Sequence, residues 1–138
     1  MAQTYGEILE SAFSRVWDAA RAGSETLFLD IGSGRGLIVA ASVQQGGCGE
    51  AIGLEKYSDK YEESLALRSS LSPDLQPKIT FLKGDINDVD LLQLMAGSQC
   101  TELLAFCNNL AFNQGTNNRY SPISESIAQL CCNRRIGS

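Results

Sequence analysis

Leu27-Phe28-Leu29-Asp30-Ile31-Gly32-Ser33-Gly34-Arg35-Gly36-Leu37 decides how this chain is read. A short apolar run ends in an acid, three glycines alternate with other residues, and the small apolar segment Leu37 to Gln45 follows. That order spells strand, tight turn, helix. Glycine lets a backbone take positive φ and approach a ligand closely. The first N–H groups of the helix have no partner within it and are expected to point at the same place. The stretch therefore predicts an α/β fold with a nucleotide-type ligand at the first turn.

The glycine spacing narrows the ligand. A dinucleotide fingerprint requires G-x-G-x-x-G, its third glycine packing helix on strand. Here that third position is Leu37, and the last glycine falls one residue early, at Gly36. The pattern Asp-x-Gly-x-Gly-x-Gly resembles motif I of the class I methyltransferases that use S-adenosylmethionine. An acid at the strand end suits a ligand with an amino group and a sulfonium, and repels a pyrophosphate. A Gly-rich turn in another kind of α/β protein is the alternative.

Composition sets bounds. With 138 residues, 43% of them hydrophobic, the chain reads as one domain with enough apolar material for a core. No apolar run approaches membrane-spanning length and no charged-then-apolar leader opens the sequence, so neither a span nor a secretory signal is expected. Cys48, Cys100, Cys107, Cys131 and Cys132 are odd in number and contain no C-x-x-C pair. Free or buried thiols in a reducing compartment are the expectation. The chain has no histidine, which removes His-based triads and the commonest metal ligand. Methyl transfer survives that loss, because it can run on positioning and desolvation. A net charge of −5 argues against direct binding to DNA or anionic membranes.

In chain order, Thr4 and Glu7 form a capping box, and Ile8 to Ala20 recur at helical spacing before Gly23. After the glycine turn and its helix, Gly46-Gly47 leads into a second strand, Ala51 to Leu54, closed by Glu55. An acid roughly twenty residues past the turn is where such folds bind ribose hydroxyls. Tyr57 to Leu71 predicts a helix, and Lys78 to Leu82 a third strand closed by Gly84-Asp85-Ile86. There Asp85 can accept from an adenine amino group while Ile86 packs on the ring; a plain turn is the alternative. Val89 to Met95 predicts a short helix and Leu103 to Phe106 a fourth strand, followed by Asn108-Asn109-Leu110-Ala111-Phe112. Strand ends of a parallel sheet face the ligand crevice.

Tyr5-Gly6-Glu7, Asp30-x-Gly-x-Gly-x-Gly, Gly53-Leu54-Glu55-Lys56, Gly84-Asp85 and Asn108-Asn109-x-Ala-Phe112 occur in this order. From about Tyr5 to the C-terminus the chain resembles the non-SET histone-lysine methyltransferases named for disruption of telomeric silencing. The resemblance implies a Rossmann-like class I methyltransferase sheet with helices on both faces, and S-adenosyl-L-methionine as cofactor. It implies that Asp30, Gly32 and Gly34 cradle the cofactor's methionine part, with Gly36 also among the cofactor-binding residues. Glu55 would bind the ribose and Asp85 with Ile86 the adenine, with Lys56 also among the cofactor-binding residues. Tyr5 and Glu7 would fold over the cofactor, and Asn108, Phe112 and Tyr5 would line the channel for a lysine amine.

The chain departs from that family's pattern at three places. Leu37 stands where a glutamine is usual, Ile8 where a threonine is usual, and Leu110 replaces an aromatic. The similarity also implies that further C-terminal strands are missing after Ser138, which would leave the fourth strand as a sheet edge. The expected partner is a protein substrate such as a core histone, which would imply the nucleus; otherwise the chain is expected in the cytoplasm. Two other readings stand beside this one: a class I methyltransferase of another substrate class, and a catalytically dead cofactor-binding or interaction module.

Overall fold

The computed structural model describes residues 14, 15 and 17–107 and the backbone of a strand at 110–115. Tyr5, Glu7, Asn108 and Asn109 lie outside the described residues. The glycine-rich stretch forms the predicted unit: β1 (Thr26–Ile31), turn, α1 (Leu37–Gln44). There follow β2 (Glu50–Glu55), α2 (Ser58–Ser70), β3 (Ile79–Lys83), α3 (Leu91–Ala96), β4 (Glu102–Cys107) and β5 (Leu110–Gly115). The sheet order is β3-β2-β1-β4-β5. The first four strands are mutually parallel. β1 therefore lies between β2 and β4, with the chain moving outward on either side. All six of its residues are buried, as a central strand covered on both faces requires.

Alternation along β1 divides the core. Leu27, Leu29 and Ile31 pack with Ile52, Leu54, Leu103 and Met95 of α3 on one face. Phe28 packs on the other with Trp17, Phe81 and the α1 residues Ile38, Val39 and Ala41. Six of the eight α1 residues are buried, so this helix carries little amphipathic signature. Its buried Ser42 hydroxyl donates back to the Val39 carbonyl at 2.7 Å, which removes the cost of burying an unpaired hydroxyl. α2 lies further out and is anchored at its end, where Arg68 Nε donates to the Ile79 carbonyl at 2.7 Å.

The fifth strand corrects the expectation that β4 would be left as an edge. β5 pairs antiparallel with β4, from Leu110 opposite Cys107 to Gly115 opposite Glu102. The physical reason is that a buried apolar strand such as Leu103-Leu104-Ala105-Phe106 exposes unpaired N–H and C=O groups unless another strand covers it. Two residues separate the paired strands, a link length that antiparallel pairing permits and parallel pairing does not.

Gly36 shows why the turn-to-helix junction is sequence-restricted. It takes φ +87 at the helix start, and a Cβ there would fall on the Phe81 ring, within 2.7 Å of Cε1. Substitution adds left-handed strain to a clash with a core aromatic. Gly36→Ala is expected to destabilise the fold by about 2–4 kcal/mol, read as a lower urea midpoint with an unchanged m-value.

Candidate functional site

The C-terminal ends of β1 to β4 converge on one cleft, of ≈ 380 Å³. Gly32 and Gly34 form its floor after β1; Leu54, Glu55, Lys56, Tyr57 and Lys60 come from the end of β2 and the first turn of α2. Gly84, Asp85 and Ile86 follow β3, and Cys107 ends β4. Such a crevice outside the carboxyl ends, beside the strand where the order reverses, is the expected ligand position of an open α/β sheet. Its volume lies within the range of small-ligand pockets.

The glycine loop is held by its own donors. Gly32 N and Ser33 N both donate to the Leu54 carbonyl, at 2.7 and 3.0 Å, and Gly36 N donates to the Ser33 carbonyl at 3.0 Å. Gly34 N donates to Glu55 Oε1 at 2.8 Å, and Tyr57 N donates to Glu55 Oε2 at 3.0 Å. The amides of these four turn residues are thus not free for a ligand. Their amides are committed, one of them to a carboxylate. At these four amides a pyrophosphate would find no free donor.

Glu55 is buried, with 6% exposure, and lies on the cleft wall. Each of its oxygens accepts one backbone N–H, and a carboxylate oxygen has a second acceptor site. The pair of ribose hydroxyls that the sequence assigns to Glu55 matches those remaining sites in number and kind. The fit is therefore good for a nucleoside and poor for a phosphate.

Asp30 stands behind Glu55. The two belong to adjacent strands, Asp30 in register with Gly53, and period-2 alternation puts Asp30, Gly53 and Glu55 on the same face. The absent side chain at Gly53 leaves room that the Ser33 hydroxyl and the Phe81 ring fill; a Cβ there would lie 2.8 Å from Ser33 Oγ. Asp30 has 7% exposure, and Ser33 Oγ is buried with no hydrogen-bond partner. Burial first, and then the nearby Glu55 charge, push the Asp30 carboxyl up to about 7.

The other sequence-assigned residues fall unevenly. Gly32, Gly34, Glu55, Lys56, Asp85 and Ile86 share the cleft wall. Gly36 does not line it; its place against Phe81 and Ser64 is structural. Asp85 lines the cleft and also caps a short 3-10 turn (Ile86–Asp88), its Oδ1 accepting from Asn87 N at 3.0 Å. Asp85 thus belongs to the cleft wall and to the turn at once. Phe112 pairs with Ala105 in the interior of β5, not at a strand end as the sequence suggested.

Tyr57 and Lys60 were not singled out from the sequence. Both follow the β2 acid into the first turn of α2, a proximity that could have flagged them. The Lys56 ammonium sits 5.2 Å from the centroid of the Tyr57 ring, which remains 60% exposed at the cleft mouth.

The cysteines divide. Cys48 and Cys100 are free and buried, and burial together with the neighbouring Cys100 pushes the Cys48 thiol up to about 12. That makes Cys48 a poor nucleophile at neutral pH. Cys107 is disulfide-bonded. The expectation of free thiols throughout is corrected at that position, since pairing between distant cysteines is not visible in spacing alone.

Asp30 gives the fold a pH dependence of defined sign. Its folded value, about 7, lies above the ordinary 3.8. The carboxyl costs no stability below about pH 3.8, where it is neutral in both states. Stability is then lost as pH rises towards 7, because only the unfolded chain ionises freely. Asp30→Asn should therefore leave stability unchanged at pH 3.5 and raise it at pH 8 by on the order of 4 kcal/mol, at 1.36 kcal/mol per pKa unit. Denaturant titration at the two pH values checks this.

A family model described as "Histone methylation protein DOT1" matches residues 1–136. The structure resembles an RNA methyltransferase from Salinibacter ruber solved with S-adenosyl-L-homocysteine, with a TM-score of 0.52 and 17% identity over 76% of either chain. It also resembles the glycopeptide N-methyltransferase MtfA solved with sinefungin, with a TM-score of 0.51 and 16% identity. That match covers 59% of this chain and 34% of the other, so the chain spans about a third of that protein's length. No curated protein matches. At these identities the solved structures show the class I methyltransferase fold and nothing finer. The family match extends over nearly every residue, through the glycine turn, the paired acids and the Asn-Asn segment: the chain belongs to the DOT1 family of histone methylation proteins.

Proposed function

We propose that this chain binds S-adenosyl-L-methionine in the cleft at the strand ends and transfers its methyl group to a lysine amine of a histone. The observation that carries the reading is the Glu55 carboxylate, held by Gly34 N and Tyr57 N with acceptor capacity to spare. Glu55 accepts from the ribose hydroxyls, with the Lys56 stem beside it. Asp85 receives the adenine amino group and Ile86, buried at 2% exposure, supplies an apolar surface for the ring. Gly32 and Gly34 leave the cleft floor without side chains, so the backbone can approach the methionine part. Gly36 contributes indirectly, by letting α1 begin against Phe81.

When bound, the cofactor supplies an electrophilic methyl on a sulfonium. The protein's task is to bring a neutral amine in line with that methyl and to exclude water. Asn108 has the amide chemistry to accept a hydrogen bond from the amine and so orient its lone pair. Phe112 and Tyr5 supply apolar surface that favours the neutral amine over the ammonium. Tyr5 and Glu7 close over the cofactor. The amine loses its proton to solvent before it enters, since no histidine is present to take it.

The acidic chain suits a basic histone tail as partner and not a DNA backbone. A histone substrate implies action in the nucleus. No helix among the described residues is long and apolar enough to cross a membrane.

Calorimetric titration with S-adenosylmethionine tests the cofactor site. Glu55→Gln should weaken binding by at least about tenfold, the loss expected when a charged acceptor is removed from a hydrogen-bonded pair. Its far-UV circular dichroism should remain that of the wild type. Methyl incorporation into core histones, and none into free amino acids or small amines, is the expected substrate profile. Incorporation only into a non-histone acceptor would support another substrate class, and tight cofactor binding with no transfer would support a binding module.

A further inference from the structure

The apolar residues of the cleft wall differ widely in what they can offer a ligand. Ile31, Leu54, Ile86 and Cys107 line the cleft, but they belong to the core and are only 8, 2, 2 and 3% exposed. Tyr57 lines the same wall and is 60% exposed. Among these apolar side chains, only Tyr57 has much area left to remove from water.

The Tyr57 side chain has no structural task among the described residues. It stands at the N-cap of α2 and forms no side-chain cap hydrogen bond, a position that small polar residues fill better. It belongs to neither core cluster. The contact of its ring is the Lys56 ammonium, 5.2 Å from the centroid, a distance at which a cation is drawn to an aromatic face.

Its backbone, in contrast, is fixed. Tyr57 N donates to Glu55 Oε2 at 3.0 Å, and the Tyr57 carbonyl accepts from Tyr61 N at 3.0 Å. The turn after β3 is fastened to the same acid, since Gly84 N donates to the Glu55 carbonyl at 3.0 Å. Glu55 is thus tied both to Tyr57 and to the turn that carries Asp85 and Ile86. Lys60, three residues on from Tyr57, shares its helix face and lines the cleft with it. A sugar hydroxyl on the spare acceptor site of Glu55 Oε2 would lie two hydrogen-bond lengths, about 5–6 Å, from Tyr57 N. A base carried by that sugar comes within reach of the ring.

We propose that Tyr57 is the base-stacking residue of this cleft: the cofactor's adenine lies between the Tyr57 ring at the mouth and Ile86 on the wall, so that an aromatic face, and not water, closes the outer side of the base. This rests on the adenosylmethionine reading above. A flat base covers a flat ring efficiently, and the fixed backbone of Tyr57 lowers the cost of ordering it. Lys56 occupies one face of the ring and leaves the other to the base. Asp85 and Tyr57 then divide the work. Asp85 reads the amino group by hydrogen bonding, whereas stacking adds affinity without reading the base, because every base has a π-face.

The experiment is calorimetric titration of the full chain with S-adenosylhomocysteine and with methylthioadenosine, which keeps the nucleoside and lacks the amino-acid end. Tyr57→Ala should weaken binding of both by about tenfold, the loss typical of one base–aromatic stack. Tyr57→Phe keeps the ring and drops the hydroxyl, and should stay within about twofold of the wild type. Both variants retain the N–H that Glu55 Oε2 accepts, and their circular dichroism and urea midpoints should match the wild type. The adenine H2 and H8 proton resonances of bound S-adenosylhomocysteine should lie upfield in the wild type and in Tyr57→Phe, through the ring current of the stacked aromatic. In Tyr57→Ala they should move back downfield, a change that a purely structural role for Tyr57 would not produce.

Wild-type affinity in Tyr57→Ala would overturn the stacking role and leave the cofactor reading intact. Equal losses in Tyr57→Phe and Tyr57→Ala would place the contact on the hydroxyl and overturn it as well. A loss confined to S-adenosylhomocysteine would put Tyr57 at the amino-acid end of the ligand, against the proposal. Failure of the folded wild type to bind either compound would overturn the cofactor reading, and the stacking role with it.

Discussion

A carboxylate that accepts two backbone N–H groups organises this molecule's functional end. Glu55 closes β2, and its two oxygens reach Gly34 in the turn after β1 and Tyr57 at the entry to α2. One side chain thus fixes the path of the glycine loop and the start of the second helix together. Charge-assisted hydrogen bonds of this kind are stronger than neutral ones. Here they operate in a buried position where water cannot substitute for a lost partner. The cleft has its shape because the turn cannot drift away from β2.

The same arrangement explains the ligand preference of the cleft. In dinucleotide-binding turns the loop amides are left for a pyrophosphate. In this chain they are used internally, two by the Leu54 carbonyl and one by Glu55. The site is built to accept hydrogen bonds and positive charge. Asp30 adds to this in a less comfortable way. It is buried beside Glu55 with no hydrogen-bond partner among the described residues, an arrangement that costs stability at neutral pH.

The fold places these groups with few parts. β1 is covered on both faces, Phe28 against α1 and Leu29 against the α3 side, so its C-terminal end is rigid where Asp30 and the turn begin. Gly36 and Gly53 are the positions at which Phe81 comes close to the backbone. One aromatic from β3 therefore sets the seat of α1 and fills the space beside Asp30. Antiparallel addition of β5 completes the other side of the sheet by pairing the apolar β4 strand.

The alternation of apolar strands with helices, the Asp-x-Gly-x-Gly-x-Gly turn and the acids at the next two strand ends were legible from residue order, because each is a local pattern of period, turn chemistry or strand termination. They determined the α/β class, the sheet-and-turn origin of the site and six of its wall residues. Other features depend on which segments meet. Gly36 reads as a ligand glycine by spacing and proves to be a packing glycine, since Phe81, which excludes a side chain there, lies 45 residues away in the chain. Tyr57 and Lys60 enter the cleft only because α2 starts beside it. β5 was hidden because Leu110 to Gly115 is unremarkable alone and becomes a strand where the open edge of β4 receives it. Asp30 is the clearest case: an acid after an apolar run is visible in sequence, but its burial and its neighbour Glu55 are decided by strand register, and together they raise its pKa.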